Sequence, residues 1–160
     1  MLKLLFVCTG NICRSPMAEA IFKHYWPQDD RPVEVEASSA GISALDGDDA
    51  TREAREALAE EGIELSGHSS RILTSEMIFS ADLILVMTTS HKRAIQAEHP
   101  EAADKIKLLK EYAADSSDDD HNIADPYGGD LQRYKKSMQE IKESVLNLIK
   151  EIDDYYRDPG

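Results

Sequence analysis

Cys8 and Arg14 are the residues of this sequence whose types and spacing most directly suggest chemistry. Five residues separate them in the segment VCTGNICRSP, which follows an apolar run and precedes a stretch with helical character. A cysteine thiolate is a strong nucleophile, and an arginine guanidinium can bind two oxygens of a phosphoryl group at once. The pair therefore predicts a site where sulfur attacks a tetrahedral oxyanion whose oxygens the arginine holds.

The residues between Cys8 and Arg14 are suited to an anion-binding loop. Backbone N–H groups in a turn that enters a helix converge on one point and favour negative charge there. Gly10 and Asn11 tolerate the positive φ that such a turn requires. The same positive potential would favour the thiolate form of Cys8. The alternative, a buried and inert thiol, is disfavoured by the position of the motif between a strand and a helix.

Four segments are predicted to be β-strands. Residues 2–7 and 82–87 are almost continuously apolar, as is typical of parallel strands covered on both faces. Residues 33–37 and 105–109 alternate between apolar and polar side chains, which is typical of half-exposed or edge strands.

Helices are predicted between and after these strands. Pro16 suits the first position of a helix over residues 16–26, with Ser15 as its cap. Further helices are expected within residues 48–63 and over residues 90–99. The last helix carries an apolar stripe at steps of three and four, formed by Leu131, Tyr134, Met138, Ile141, Val145, Leu148 and Ile152. This stripe favours a helix packed on its own sheet over a coiled-coil seam.

The alternation of strands and helices predicts an α/β fold: a single three-layer domain over residues 1–160, with a four-stranded parallel sheet flanked by helices. The anion-binding loop would lie at the C-terminal end of the first strand, the edge where open α/β sheets bind ligands. Residues 110–130 form the one long irregular stretch, and loops of that length are usually functional.

The composition excludes several classes of partner. With 31 acidic and 18 basic residues among 160, the net charge is −13, which repels nucleic acid and anionic lipid. No run of about 18 apolar residues could span a bilayer, and no signal-peptide pattern is present. Two cysteines are too few for a disulfide framework. We expect a cytoplasmic monomer without membrane insertion or a nucleic-acid partner.

Five segments along nearly the whole chain carry a likeness to a known family. They are VCTGNICRSPMAEA near the start, SSAGI at 38–42, GHSSR at 67–71, ADLILVM in the middle and DPYGG at 125–129. Together they resemble the low-molecular-weight protein tyrosine phosphatases. The resemblance implies one parallel four-stranded sheet with flanking helices, a phosphorylated protein as substrate, and no metal or organic cofactor.

The resemblance also implies catalytic roles at the matching positions. Cys8 would be the nucleophile that forms a phosphocysteine, and Arg14 would hold the phosphoryl oxygens. Asp125 would protonate the leaving oxygen and then activate water. Taken alone, Asp125 before Pro126 would more simply start a turn, but a departing phenolate needs a proton and no other residue supplies one so well.

Supporting roles follow in the same way. Ser15 would donate a hydrogen bond that holds the thiolate, and Asn11 would keep the loop in shape through contacts with Ser39 and His68. For His68 an ordinary loop or packing role is equally consistent with the sequence. The phosphate-binding loop would be completed by Thr9, Gly10, Ile12 and Cys13.

The pocket rim is expected to contain Tyr127, which lies two residues after Asp125 and would contact the substrate ring. The next position, often a second aromatic residue in the family, is Gly128 here, and Leu45 stands where animal relatives carry an aromatic wall. These two positions therefore indicate a rim with fewer aromatic side chains than is usual in the family.

Three substrates compete. Phosphotyrosine is favoured because Ile12 would pack on a phenyl ring at the mouth of the loop. Phosphoarginine is the alternative, since DPYGG and LKEY also resemble the bacterial protein-arginine phosphatases, although these carry Thr where this chain has Ile12. Arsenate reduction of the thioredoxin-coupled type requires two further cysteines, and none follows Cys13.

Two further expectations concern Cys13 and metals. Cys13 would either point into the core as a small apolar residue or form a protective disulfide with Cys8 after oxidation.

No metal is expected: in the acidic run that starts at Asp115, an EF-hand would need Gly and Glu where Asp120 and Pro126 stand. That run, which includes Asp118 and Asp119, is interpreted as a solvated loop.

Overall fold

Parallel strands form the centre of the fold. They are β1 (Leu2–Cys8), β2 (Val35–Gly41), β3 (Leu83–Val86) and β4 (Ile106–Leu108), hydrogen-bonded in the order β2-β1-β3-β4. The structure is a computed structural model that describes residues 1–113 and 120–158. The two almost continuously apolar segments lie at the centre of the sheet and the two alternating segments lie at its edges, as the sequence predicts.

The helices are α1 (Arg14–Tyr25), α2 (Arg52–Ala59), α3 (Ser75–Ser80), α4 (Thr89–Glu98) and α5 (Leu131–Arg157), with short 3-10 turns on either side of β4. Side-chain oxygens accept a hydrogen bond from a backbone N–H at the starts of four of them: Thr51, Thr74, Thr88 and Asp130. The start of α1 has no such cap, and Ser15 lies inside the helix rather than before it. The prediction of Ser15 as a cap is wrong, because its hydroxyl bonds to Cys8 instead.

Each face of the sheet is covered by its own group of helices. Leu4 and Phe6 of β1 pack with α1, α2 and α5, whereas Leu5 and Val7 pack with residues of α3 and α4. The α5 stripe from Tyr134 to Ile152 is buried against the first face. The predicted three-layer α/β fold with a four-stranded parallel sheet is therefore confirmed. None of the helices within the described ranges is both long and apolar enough for a bilayer crossing.

Two differences from the predicted elements bear on the site. β2 begins at Val35 and continues to Gly41, four residues past the predicted end, because its small polar residues pair in register with the end of β1. The helix α3 has six residues, too few to show a periodic pattern, and was not predicted. Asp115, Asp118 and Asp119 of the acidic run lie outside the described residues.

Candidate active site

The thiol of Cys8 lies where β1 ends and the chain turns toward α1. The residue is buried, and its Sγ lies 2.9 Å from Ser15 Oγ and 3.2 Å from the backbone nitrogen of Asn11, which donates to it. The sulfur therefore lies within hydrogen-bond distance of a backbone N–H and of a hydroxyl.

Asn11 fixes the conformation of the loop that surrounds this sulfur. Its φ is +56°, in the left-handed region, so of the two residues that tolerate positive φ, Gly10 and Asn11, it is Asn11 that adopts it. The Asn11 amide nitrogen donates to Ser15 Oγ at 2.8 Å and to Ser39 Oγ at 3.0 Å. Its amide oxygen accepts from the backbone nitrogen of Arg71 at 3.0 Å.

His68 contacts the same loop from outside. Its Nε2 lies 2.7 Å from the backbone oxygen of Asn11, and the side chain is half-buried. Ser39 in turn donates to Glu19 at 2.6 Å. The structure therefore brings both Ser39 and His68 to Asn11.

The end of β2 touches the loop without any side chain between them. A Cβ at Gly41 would lie 2.6 Å from Thr9 O and 2.8 Å from Asn11 N, closer than atoms can approach. Beyond Gly41, the backbone nitrogens of Ile42 and Ser43 donate to Cys8 O and Thr9 O at 3.0 and 2.9 Å. A glycine at this position lets two backbones pack directly on one another.

Arg14 is buried, with 3% of its surface exposed, and its guanidinium is held from several directions. Nη1 donates to Ile123 O at 2.9 Å. Nη2 lies 3.5 Å from Thr9 Oγ1 and 3.6 Å from Asp125 Oδ2. These contacts orient the guanidinium.

Asp125 lies across the same cavity on the segment that precedes α5. Oδ1 accepts from the backbone nitrogen of Tyr127 at 3.1 Å, while Oδ2 faces Arg14, and half of the side chain is exposed. The segment is anchored by Ile123 N, which donates to Met87 O at 2.9 Å, and by Ser137 Oγ, which donates to Ala124 O at 3.0 Å. Asp125 thus forms a turn and also faces the arginine.

These side chains enclose a cavity of about 200 Å³. It is lined by Cys8, Thr9, Gly10, Ile12, Cys13, Arg14, Asp125 and Tyr127. Leu45 is 73% exposed and is not among the lining residues, so the structure does not bring it to the pocket. Ile12 and Tyr127 are more exposed than Cys8 and Arg14 and form the rim of the cavity.

Cys13 is buried on the core side of the loop. Its Sγ lies 3.4 Å from the hydroxyl of Tyr134 and 3.8 Å from Thr51 Oγ1. Burial is the main reason why the pKa of the Cys13 thiol is raised, since a thiolate is poorly solvated there. Both cysteines are free thiols, and Cys13 combines packing in the core with a place in the cavity wall.

Two residues near the loop were not singled out from the sequence. Arg71 donates its Nε to Ser39 O at 2.9 Å, and its backbone binds Asn11 and Gly41. His91, in the first turn of α4, lies 2.9 Å from Thr9 through its Nε2. Burial, together with the charge of Arg14, lowers the pKa of His91 to about 4. The sequence offers one indication that His91 lies near the site: it follows β3 at the sheet edge that also holds Cys8.

The fold and the site define a class of protein: a parallel α/β enzyme with a cysteine and an arginine on one oxyanion-binding loop, built for phosphoryl transfer. The profile described as "Low molecular weight phosphotyrosine protein phosphatase" matches residues 3–157. The chain belongs to this family. It is therefore a protein phosphatase, a hydrolase whose substrate is phosphorylated protein.

Individual relatives fall in two groups by name. The chain is 43% identical to a protein-arginine-phosphatase of Bacillus subtilis, over 93% of this chain and 95% of the relative. It is 38% identical to a probable low molecular weight protein-tyrosine-phosphatase of Ralstonia nicotianae, over 89% of this chain and 90% of the relative. The solved structure of an arginine phosphatase from Geobacillus stearothermophilus matches with a TM-score of 0.87 at 36% identity, covering 99% of this chain and 97% of that one.

Proposed function

We propose that this phosphatase hydrolyses phosphotyrosine in proteins through a phosphocysteine intermediate on Cys8. The observation that carries the proposal is the single cavity in which Cys8, Arg14 and Asp125 face one another below a rim of Ile12 and Tyr127. An attacking sulfur, a cation for the oxygens and an acid for the leaving group are the groups that a two-step phosphoryl transfer needs.

In the first step the Cys8 thiolate attacks phosphorus, so that an S–P bond forms while the P–O bond to the tyrosine breaks. Asp125 gives its proton to the departing oxygen, which leaves as a neutral phenol. In the second step water attacks phosphorus and passes a proton to Asp125. The S–P bond breaks, and inorganic phosphate and the Cys8 thiolate are released.

The surrounding residues preorganise these steps. Arg14 and the loop N–H groups bind the equatorial oxygens, on which negative charge spreads in the transition state. Ser15, 2.9 Å from Cys8, stabilises the thiolate before attack and after release. Asn11, with Ser39 and His68 behind it, holds the loop in the conformation that aims its N–H groups inward.

The rim supports phosphotyrosine over phosphoarginine. Ile12 offers only carbon atoms, which pack well on the face of a phenyl ring, and Tyr127 can stack against it from the other side. A phosphoguanidinium has several N–H donors, and Ile12 gives them no acceptor. Each donor left unpaired in a buried site costs about 1–3 kcal/mol.

Phosphoarginine is the second candidate, because relatives at 43% and 39% identity carry the name protein-arginine-phosphatase. Asp125 also supports it, since its carboxylate lies at the cavity and can accept from a guanidinium. The distinction therefore depends on Ile12, the lining position where that branch is expected to have a threonine.

Acid quenching tests the intermediate. During turnover the wild-type protein is expected to trap one phosphoryl group per chain, and Cys8→Ser is expected to lose nearly all hydrolysis while remaining folded. Substantial turnover by folded Cys8→Ser would show that Cys8 is not the nucleophile.

Measuring kcat/KM for a phosphotyrosine peptide and for a phosphoarginine peptide tests the choice between the two substrates. The wild type is expected to prefer phosphotyrosine, and Ile12→Thr should shift the ratio toward phosphoarginine by about tenfold, which corresponds to about 1.4 kcal/mol. A wild type that already prefers phosphoarginine would overturn the choice of substrate without affecting the phosphocysteine chemistry.

We also propose the domain organisation, the oligomeric state and the location of the protein. Residues 1–160 act as one domain and as a monomer, and a thiolate nucleophile suits the reducing cytoplasm. Leu45 stays a predicted contact for substrates that extend beyond the cavity. The reaction requires no metal or organic cofactor, because thiolate, guanidinium and carboxylate supply every group.

A further inference from the structure

His91 stands next to the candidate site without lining its cavity. It is the third residue of α4, 6% exposed, and its backbone nitrogen donates to Thr88 Oγ1 at 3.2 Å, so the start of the helix fixes its position. The imidazole Nε2 lies 2.9 Å from Thr9 Oγ1. The buried imidazole therefore contacts the hydroxyl of Thr9, a residue of the phosphate-binding loop.

The Thr9 hydroxyl connects this imidazole to Arg14, whose Nη2 lies 3.5 Å from Thr9 Oγ1. A guanidinium can only donate, so the Thr9 oxygen is the acceptor in that contact. The Thr9 hydrogen is then free to be donated to Nε2 of a neutral imidazole. His91 is neutral at physiological pH, because burial and the nearby Arg14 lower its pKa.

This arrangement leaves the other ring nitrogen of His91 unsatisfied. Within residues 1–113 and 120–158, the buried Nδ1 has no hydrogen-bond partner. Burying a polar atom without a partner costs free energy. A leucine of similar size would avoid that cost, so packing alone does not account for a histidine here.

We propose that His91 is a positioning residue for the phosphate-binding arginine and acts through Thr9. The proposal rests on the proposed function and adds a residue to its machinery. Nη2 of Arg14 lies between two acceptors, Thr9 Oγ1 at 3.5 Å and Asp125 Oδ2 at 3.6 Å. His91 holds the Thr9 hydroxyl in one rotamer. Nη2 of Arg14 then interacts with both Thr9 and Asp125, and it stays available to a phosphoryl oxygen.

Without His91 the Thr9 hydroxyl can rotate among its staggered positions. Nη2 is then left with Asp125 as its fixed neighbour, and a closer Arg14–Asp125 pair competes with the phosphoryl group for the guanidinium. The expected defect is weaker oxyanion binding, and it should be seen even with a ligand as small as inorganic phosphate.

Four variants and a control test this connection. His91→Leu removes the acceptor, whereas His91→Gln restores a polar group near the position of Nε2. Thr9→Val keeps the shape but removes the hydroxyl, and the fourth variant combines His91→Leu with Thr9→Val. His99→Leu is the matched control, a histidine at the opposite end of the same helix, beside Ser75 and Glu101.

The measurements are the inhibition constant of inorganic phosphate, kcat and KM with p-nitrophenyl phosphate, and the melting temperature. His91→Leu and Thr9→Val should each weaken phosphate inhibition and lower kcat/KM by about tenfold. The double variant should be no worse than either single variant, because all three break one chain of contacts. His91→Gln should recover most of the loss, and His99→Leu should resemble wild type.

Several results would overturn the proposal. One is a His91→Leu protein with a lower melting temperature but unchanged phosphate inhibition. Another is a double variant whose losses multiply. If His91→Leu does not fold, an unaffected Thr9→Val protein rejects the proposal just as directly. Failure of the proposed function itself would be seen separately, as hydrolysis that does not depend on Cys8.

Discussion

Asp125 uses the two oxygens of one carboxylate for different contacts. Oδ1 accepts from the backbone of Tyr127 in a local turn, and Oδ2 faces Arg14 at 3.6 Å. The turn aims the carboxylate at the cavity, and half of the side chain remains exposed to solvent. The two interpretations that the sequence leaves open for this residue are therefore compatible.

Asp125→Asn distinguishes the structural role of Asp125 from its proposed role as proton donor. The amide oxygen can still accept from the backbone of Tyr127, whereas the carboxyl proton donor is lost. We expect hydrolysis of phenyl phosphate, whose leaving group has a pKa of about 10 like that of tyrosine, to fall by on the order of 10²-fold. Hydrolysis of p-nitrophenyl phosphate should fall much less, because its leaving group departs easily as an anion. Equal losses with both esters would assign Asp125 to structure rather than to proton transfer.

His91 makes the stability of the fold depend on pH. Its pKa is lowered from 6.5 to about 4, so between these values the unfolded chain binds a proton that the folded chain does not. Stability is therefore lost as the pH falls through this window. Relative to His91→Gln, wild type should lose up to about 2 kcal/mol between pH 7 and pH 5. Urea unfolding of both proteins at the two pH values measures this, and parallel stabilities would contradict it.

At the scale of elements, the sequence predicts the strands and long helices because their patterns are local. The apolar runs of β1 and β3 and the stripe of α5 can each be found within one window of sequence. The position of the cysteine loop follows from them, since the end of a central strand in a parallel sheet is a ligand-binding edge.

The parts that were not predicted depend on contacts between distant segments. Arg71 contacts Asn11, 60 positions away in the sequence, and His91 contacts Thr9, 82 positions away. No local sequence pattern encodes such pairs. Leu45 was predicted from the family resemblance alone, and it lies outside the lining of the cavity. Of the two residues that tolerate positive φ, Asn11 adopts it and Gly10 does not.

The contact between β2 and the phosphate-binding loop predicts that Gly41→Ala is harmful. Its Cβ would meet backbone atoms of Thr9 and Asn11 at under 3 Å, and neither can move aside as a flexible side chain would. We expect a loss of about 1–3 kcal/mol of unfolding free energy. Phosphate inhibition should also weaken, because the loop must shift.

Gly67→Ala is the matched control for this substitution. A Cβ at Gly67 meets nothing within 4 Å, so its stability should stay within about 0.5 kcal/mol of wild type. Both proteins can be compared by urea unfolding and by titration with phosphate. If Gly41→Ala behaves like Gly67→Ala, the close approach of the two backbones does not constrain the loop.

At the scale of the whole molecule, a net charge of −13 belongs to a protein whose proposed substrate group is an anion. The loop that follows β2 carries part of this negative charge beside the phosphate-binding loop. It pairs with the phosphate-binding loop through Ser43 and Thr51, and it carries exposed carboxylates at Asp46, Asp48 and Asp49. Arg14 lines the cavity, whereas the loop that pairs with the phosphate-binding loop is acidic.

This field predicts a preference for basic sequences around the phosphorylated residue. Of two phosphotyrosine peptides that differ only in flanking lysines or glutamates, the lysine peptide should show severalfold higher kcat/KM at low salt, because the acidic surface attracts it. The difference should shrink as salt is raised, since the Debye length falls from about 10 Å at 0.1 M to about 3 Å at 1 M. Asp49→Asn should reduce the preference, whereas Asp153→Asn, near the end of α5, should change it less. If both peptides react equally at every ionic strength, the charge of the molecule has no part in selecting its substrate, and selection depends on the rim formed by Ile12 and Tyr127.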